Sequence, residues 1–94
     1  MKILWTRLAL QDLEQAWDYI AAGNPAAAED VVEKIAGAVG SLPSYPQLGR
    51  LGRVKGTREL VVAGTPFVIP YRLKGDQIQL LAVLHVARRW PGDF

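Results

Sequence analysis

The spacing of apolar residues changes midway along this chain. From Arg7 to Ala22, apolar residues recur at Leu10, Leu13, Trp17 and Ile20 with Ala16 between them, while Asp12, Glu14 and Asp18 fall off the stripe. That period predicts a helix with one buried face, Trp17 among the core residues. Thr6 stands where a cap belongs, because its hydroxyl can accept a free N–H of the first turn. Before it, Lys2–Trp5 is a short β-prone run. Gly23 is expected to end the helix in the left-handed conformation, and Asn24-Pro25 to open a second one. The second helix is predicted from Pro25 to about Ser41, with Ala28, Val31, Val32, Ile35, Val39 and Leu42 on its apolar face. So short a link predicts an antiparallel hairpin.

Pro43, Pro46, Gly49 and Gly52 then interrupt any period, so residues 43–53 read as a loop. Three β-prone runs follow, Arg58–Ala63, Phe67–Leu73 and Gln77–His85, parted by Gly64-Thr65-Pro66 and Lys74-Gly75-Asp76. Such close turns require antiparallel pairing. Pro70 lacks the N–H a ladder needs, so it implies a bulge, a sheet edge or a displaced boundary. The expected fold class is α+β: a short N-terminal strand and a helix hairpin on one face of a three- to four-stranded, mainly antiparallel sheet. The other face is expected to stay open to solvent or a partner. Residues 1–94 are expected to form a single domain.

Composition narrows the chemistry. The 94 residues are 50% hydrophobic, enough for a core, and include no cysteine. That excludes disulfides, thiolate catalysis and cysteine zinc sites. One histidine cannot build a histidine-rich metal centre, so no cofactor is expected. No phosphate-binding glycine loop and no Gly-x-Ser-x-Gly nucleophile motif is present. The opening MKILWTRLAL is broken by charges too early for a signal peptide or a membrane span, so a cytoplasmic protein without a membrane partner is expected.

The charge is unevenly placed. Residues 1–49 carry Lys2, Arg7 and Lys34 against Asp12, Glu14, Asp18, Glu29, Asp30 and Glu33, a net of −3. Residues 50–94 carry Arg50, Arg53, Lys55, Arg58, Arg72, Lys74, Arg88 and Arg89 against Glu59, Asp76 and Asp93, a net of +5. The basic half suits phosphate or an acidic protein surface; the plainer alternative is ordinary solvated charge. Asp12 and Glu14, two apart on a helix, share no face and read as solvent charges. A surface uniting Arg50, Arg53, Arg58, Arg72, His85 and Arg88, with Tyr71 and Trp90 as aromatic neighbours, is the expected site. Arginine forks bind phosphate or carboxylate, and a histidine among them could serve as acid or base in RNA cleavage. Against this, His85 reads equally as a strand-end residue bonded to a backbone carbonyl. Glu59 reads as a partner for a cross-strand arginine, and Trp90 as a residue packed back over the hairpin.

The helix-hairpin NPAAA, the loop with P-x-x-GR-x-GR, then GTRELVV, TPFVIPYR and VLHVARRWP together resemble the RelE/ParE superfamily of bacterial type II toxin–antitoxin toxins. The resemblance spans nearly the whole chain. It implies a small growth-inhibiting toxin neutralised by a cognate antitoxin, with either DNA gyrase (ParE-like) or ribosome-bound mRNA (RelE-like endoribonuclease) as target. In the nuclease case Arg58, Arg72, His85 and Arg88 would be catalytic. Arg50, Arg53, Tyr71, Arg89 and Trp90 would bind target or antitoxin. Phe67 stands where a RelE-type strand arginine is sought and Phe94 where the C-terminal tyrosine is sought, and neither has the required polar group. The VLHVAR ending resembles the ParE branch, which is not known for nuclease activity. A non-toxic antitoxin-binding module is the remaining alternative.

Overall fold

The computed structural model describes residues 1–88, Trp90 and Gly92. Two helices, α1 (Arg7–Gly23) and α2 (Pro25–Gly40), lie between a first strand β1 (Lys2–Trp5) and a run of five more. These are β2 (Arg50–Leu51), β3 (Arg58–Val61), β4 (Phe67–Lys74), β5 (Gln77–Leu80) and β6 (Leu84–His85). The sheet order is β1-β5-β4-β3-β2, with β6 also on β4; only β1 and β5 run parallel. The α+β arrangement agrees with the sequence, but among the described residues the sheet has six strands, two of them only two residues long.

Thr6 caps α1 by accepting from the Ala9 N–H at 3.2 Å, and its own hydroxyl donates to the Leu80 carbonyl at 2.7 Å. One side chain therefore ends β1, starts the helix and ties both to β5. Asn24 serves two helices: its N–H donates to Ile20 and its side chain accepts from Ala27. It takes the extended conformation, so the left-handed stop expected at Gly23 is not needed, and Gly23 is simply the last residue of α1. Positive φ is found instead at Gly56, Gly64 and Gly75, in the tight turns.

The core lies between the hairpin and one sheet face. Ile35, Val39 and Leu42 meet Leu60, Phe67, Ile69, Tyr71, Ile78 and Leu80, with Leu13, Ala16 and Ile20 packed alongside. In α1 the buried stripe is rotated from the expected one: Ala9 is fully buried, Leu10 is exposed and Trp17 is half-buried. The reverse face is not bare, since Glu59, Val68 and Pro70 are buried there.

Pro70 sits in the middle of the central strand, and the chain accommodates it with a bulge. Tyr71 pairs with Leu80 and Val68 with Leu84, so two residues of β4 face three of the neighbouring chain. The Pro70 carbonyl, pointing toward that neighbour, accepts from the Leu81 N–H at 2.8 Å. Its missing donor faces the same side, where the extra residue has already broken the ladder. The expected single strand Gln77–His85 is therefore split into β5 and β6.

Candidate functional site

The pleat of the sheet separates the residues expected to converge. Arg58 pairs with Tyr71, so both point to the helix-facing side, at the end of the sheet where the loop after α2 returns. There the Arg58 guanidinium donates to the carbonyls of Gly49 at 2.8 Å and Gln47 at 3.4 Å. The Tyr71 hydroxyl donates to the Pro46 carbonyl at 2.7 Å and accepts from the Gly49 N–H at 2.8 Å. Tyr71 is fully buried, which rules out the surface role expected for it. Its place in the alternation Phe67, Ile69, Tyr71 was the signal, since the first two are core residues.

Glu59 organises the reverse face. Its side chain is only 5% exposed and accepts from Arg50 Nε at 3.1 Å and from the Arg53 N–H at 2.9 Å. A cross-strand arginine was expected beside Glu59, and the partner is Arg50, in a segment the sequence reads as loop. The Arg53 guanidinium lies 3.9 Å from the same carboxylate and stacks 3.7 Å from the centre of the Trp90 ring. Trp90 Nε1 donates to the His85 carbonyl at 3.1 Å. Trp90 thus meets Arg53 rather than the helix hairpin. Arg72 shares this face two residues along β4 from Pro70, with Nε donating to Gln79 Oε1 at 2.6 Å.

His85 and Arg88 belong elsewhere. His85 is the register partner of Phe67 and meets it edge-on, ring centres 5.6 Å apart. Its Nδ1 accepts from the Ala87 N–H, so a neutral ring carries its proton on Nε2. Arg88 lies 5.8 Å from the centre of the Tyr19 ring. Together with Asp12 and Gln15 of α1, these residues line a groove of about 620 Å³ between the helix and the end of the sheet. The sequence therefore named three places rather than one: the loop anchor (Arg58, Tyr71), the reverse face (Arg50, Arg53, Arg72, Trp90) and the groove (His85, Arg88). Arg89 and Phe94 lie outside the described residues.

Asp12 was misread as a solvent charge. It is half-buried and accepts from the Val83 N–H at 3.0 Å, a donor freed by the bulge. Burial raises its pKa above the ordinary value, and the Val83 hydrogen bond offsets part of that rise. The signal was its spacing: Asp12 lies between Ala9 and Ala16 at helical intervals, on the stripe that faces the sheet.

Among the described residues no helix is long and apolar enough to cross a membrane, and no three His, Cys, Asp or Glu side chains gather into a metal site.

Known proteins share this arrangement. The chain is 46% identical to Y4kP of Sinorhizobium fredii, a protein designated a toxin, over 96% of this chain and 93% of that one. It is 37% identical to toxin RelE2 of Caulobacter vibrioides, over 93% and 97% of the two chains. A solved structure, the chromosomal ParDE toxin–antitoxin system from P. aeruginosa, superposes with a TM-score of 0.82 at 34% identity, covering 90% of this chain and 95% of that one. The model of the ParE toxin of the parDE type II toxin–antitoxin system matches residues 3–90. With nearly the full chain matched in sequence and fold, the protein belongs to the ParE toxin family of type II toxin–antitoxin systems.

Proposed function

We propose that this toxin arrests bacterial growth in the cytoplasm by binding DNA gyrase and that it has no nuclease activity of its own. The observation that carries the reading is the separation of the four groups a nuclease would need. Arg58 holds loop carbonyls on the helix-facing side, Arg72 bonds Gln79 on the reverse face, and His85 and Arg88 line the groove beside α1. A scissile phosphate needs its acid, base and charge-stabilising groups gathered around it, each within hydrogen-bond reach of the reacting atoms. Phe67, in the position sought for a strand arginine, is buried against His85.

A cognate antitoxin is the second partner. The groove offers an apolar floor with Arg88 at its rim, which suits an amphipathic helix bearing acidic residues. Expression of the chain alone is expected to stop growth, and co-expression of the antitoxin to restore it. Purified gyrase is expected to lose supercoiling activity when the toxin is added, while ribosome-bound mRNA stays intact. Cleaved mRNA with unaffected supercoiling would reverse the choice of target. Normal growth with soluble toxin present would leave only the antitoxin-binding module.

A further inference from the structure

The loop that leaves α2 and the short strand β2 that follows it carry large apolar side chains into solvent. Tyr45 is 66% exposed, Leu48 54% and Leu51 79%. Single exposed leucines are ordinary, but three large apolar residues close together along one loop and the short strand it enters are not. Their backbone is also firmly held. The Tyr45 N–H donates to the Ser41 carbonyl and the Leu48 N–H to the Tyr45 carbonyl. The buried Tyr71 hydroxyl bridges Pro46 and Gly49, and Arg58 ties down the carbonyls of Gln47 and Gly49. Leu51 is the cross-strand partner of Arg58, so Leu48 and Leu51 flank that anchor.

The charge of this stretch of chain has one sign. No acidic residue occurs between Glu33 and Glu59, whereas Arg50, Arg53, Lys55 and Arg58 all do. Glu59 itself is buried beneath Arg50 and Arg53. Beyond β2 the sheet has no further strand among the described residues, so this edge is open to a partner.

We infer that this pinned edge, with Tyr45, Leu48 and Leu51 exposed and Arg50, Arg53 and Lys55 carried by the same stretch of chain, is the surface with which the toxin docks on its target, a protein presenting an apolar recess edged by carboxylates. The inference rests on the protein-target reading above. Its chemistry follows the plan of a protein interface, an apolar centre with a charged rim. Two of the three side chains, Leu48 and Leu51, are aliphatic and give a nucleic acid nothing to stack on. A rigid loop also avoids the ordering cost a mobile one would meet on binding.

The test compares Leu48→Asp, Leu51→Asp and the double variant with Leu4→Asp, an exposed apolar position on β1 at the opposite edge of the sheet. Circular dichroism and antitoxin binding establish that each variant is folded. In supercoiling assays the double variant is expected to need roughly tenfold or more protein for equal inhibition, with Leu4→Asp unchanged. Equal potency of the folded double variant overturns the inference. So does loss of antitoxin binding with inhibition retained, which would assign the loop to the antitoxin. If the wild type leaves gyrase active, the gyrase reading falls by itself and the same variants are read by growth arrest. Arrest by the double variant then overturns the docking surface, and its loss supports it. A wild type inert in both assays overturns the inference together with the toxin reading. Loss of activity in Lys55→Glu with full activity in the double variant would place the contact on the charge alone and not on the apolar side chains, and would also overturn it.

Discussion

Two carboxylates hold irregular backbone in this protein, and they do so under different conditions. Glu59 accepts the Arg53 N–H at the β2–β3 edge and has two guanidinium groups beside it. Asp12 accepts the Val83 N–H at the β5–β6 break, and among the described residues no lysine or arginine comes within ion-pair distance of it. Burial of a charge is tolerated when a countercharge compensates, and otherwise the neutral form gains ground. The first arrangement suits a fixed edge. The second leaves a helix-to-sheet tie that responds to acid, on the wall of the groove assigned to the antitoxin.

The largest effect should come from the fixed edge. A Cβ on Gly49 would lie 2.6 Å from Tyr71 Cε1, 2.8 Å from its hydroxyl and 3.0 Å from the Glu59 backbone. Neither a buried ring nor a strand backbone can give way there. Gly49→Ala is expected to cost about 3 kcal/mol, read as a lower midpoint in urea. A wild-type midpoint would mean that the loop anchor is soft.

Next in size is Glu59→Ala. It strips the Arg53 N–H of its acceptor and leaves two like charges side by side, while both guanidinium groups can still reach water. About 2 kcal/mol is expected, with faster amide exchange at Arg53. Glu59→Gln should recover part of this loss, because the amide oxygen still accepts.

How much of this could be read in the sequence divides along the same line. The hairpin was readable because period, caps and link agree at Thr6, Asn24 and Pro25. An arginine across from Glu59 was readable because cross-strand neighbours on one face must meet, but not that it is Arg50, since residues 43–53 read as loop. Pro70 announced a bulge among its alternatives, but its place in the central strand depends on which side of β4 the missing donor faces. That is a matter of register, which pattern alone does not fix. Arg58, Arg72 and His85 were grouped by charge and nearness along the chain, but the pleat sends Arg72 to the face opposite Arg58, and His85 lies beside Phe67 at the far end of β4 from Tyr71, the partner of Arg58. Asp12 was missed because its partner is a backbone N–H 71 residues away, exposed by a bulge that no local pattern reveals.

At Asp12 the test is pH. Its folded-state pKa is raised by burial above the ordinary 3.8. The folded protein therefore holds that proton more tightly than the unfolded chain. The resulting stabilisation is complete below the unfolded pKa and is lost as pH rises through the folded one. Asp12→Asn cannot titrate yet still offers an oxygen to Val83. It is expected to match or exceed wild type at neutral pH and to remove the stability difference that appears just above the ordinary value. Asp12→Ala has no acceptor and should lose about 1 kcal/mol at neutral pH, with faster exchange at the Val83 amide. Parallel stability–pH curves for wild type and Asp12→Asn would refute the account.

The smallest expected effect separates the two tasks of Arg53. Its backbone N–H serves Glu59 and its guanidinium covers Trp90. Arg53→Ala keeps the first and removes the second. Because the guanidinium is exposed, global stability should fall by only about 0.5 kcal/mol. The local consequence is larger, since Trp90 then loses its stacked partner and keeps its Nε1–H bond to the His85 carbonyl. With fluorotryptophan, 19F NMR distinguishes Trp90 from Trp5 and Trp17, and only the Trp90 resonance should shift and narrow in Arg53→Ala. Arg53→Lys should fall between the two, as an ammonium keeps the charge but loses the flat stacking surface. An unmoved Trp90 resonance would mean that the His85 carbonyl suffices. The reverse face would then owe its order to Glu59 and Arg50, and Arg53 would be left to the target-facing rim.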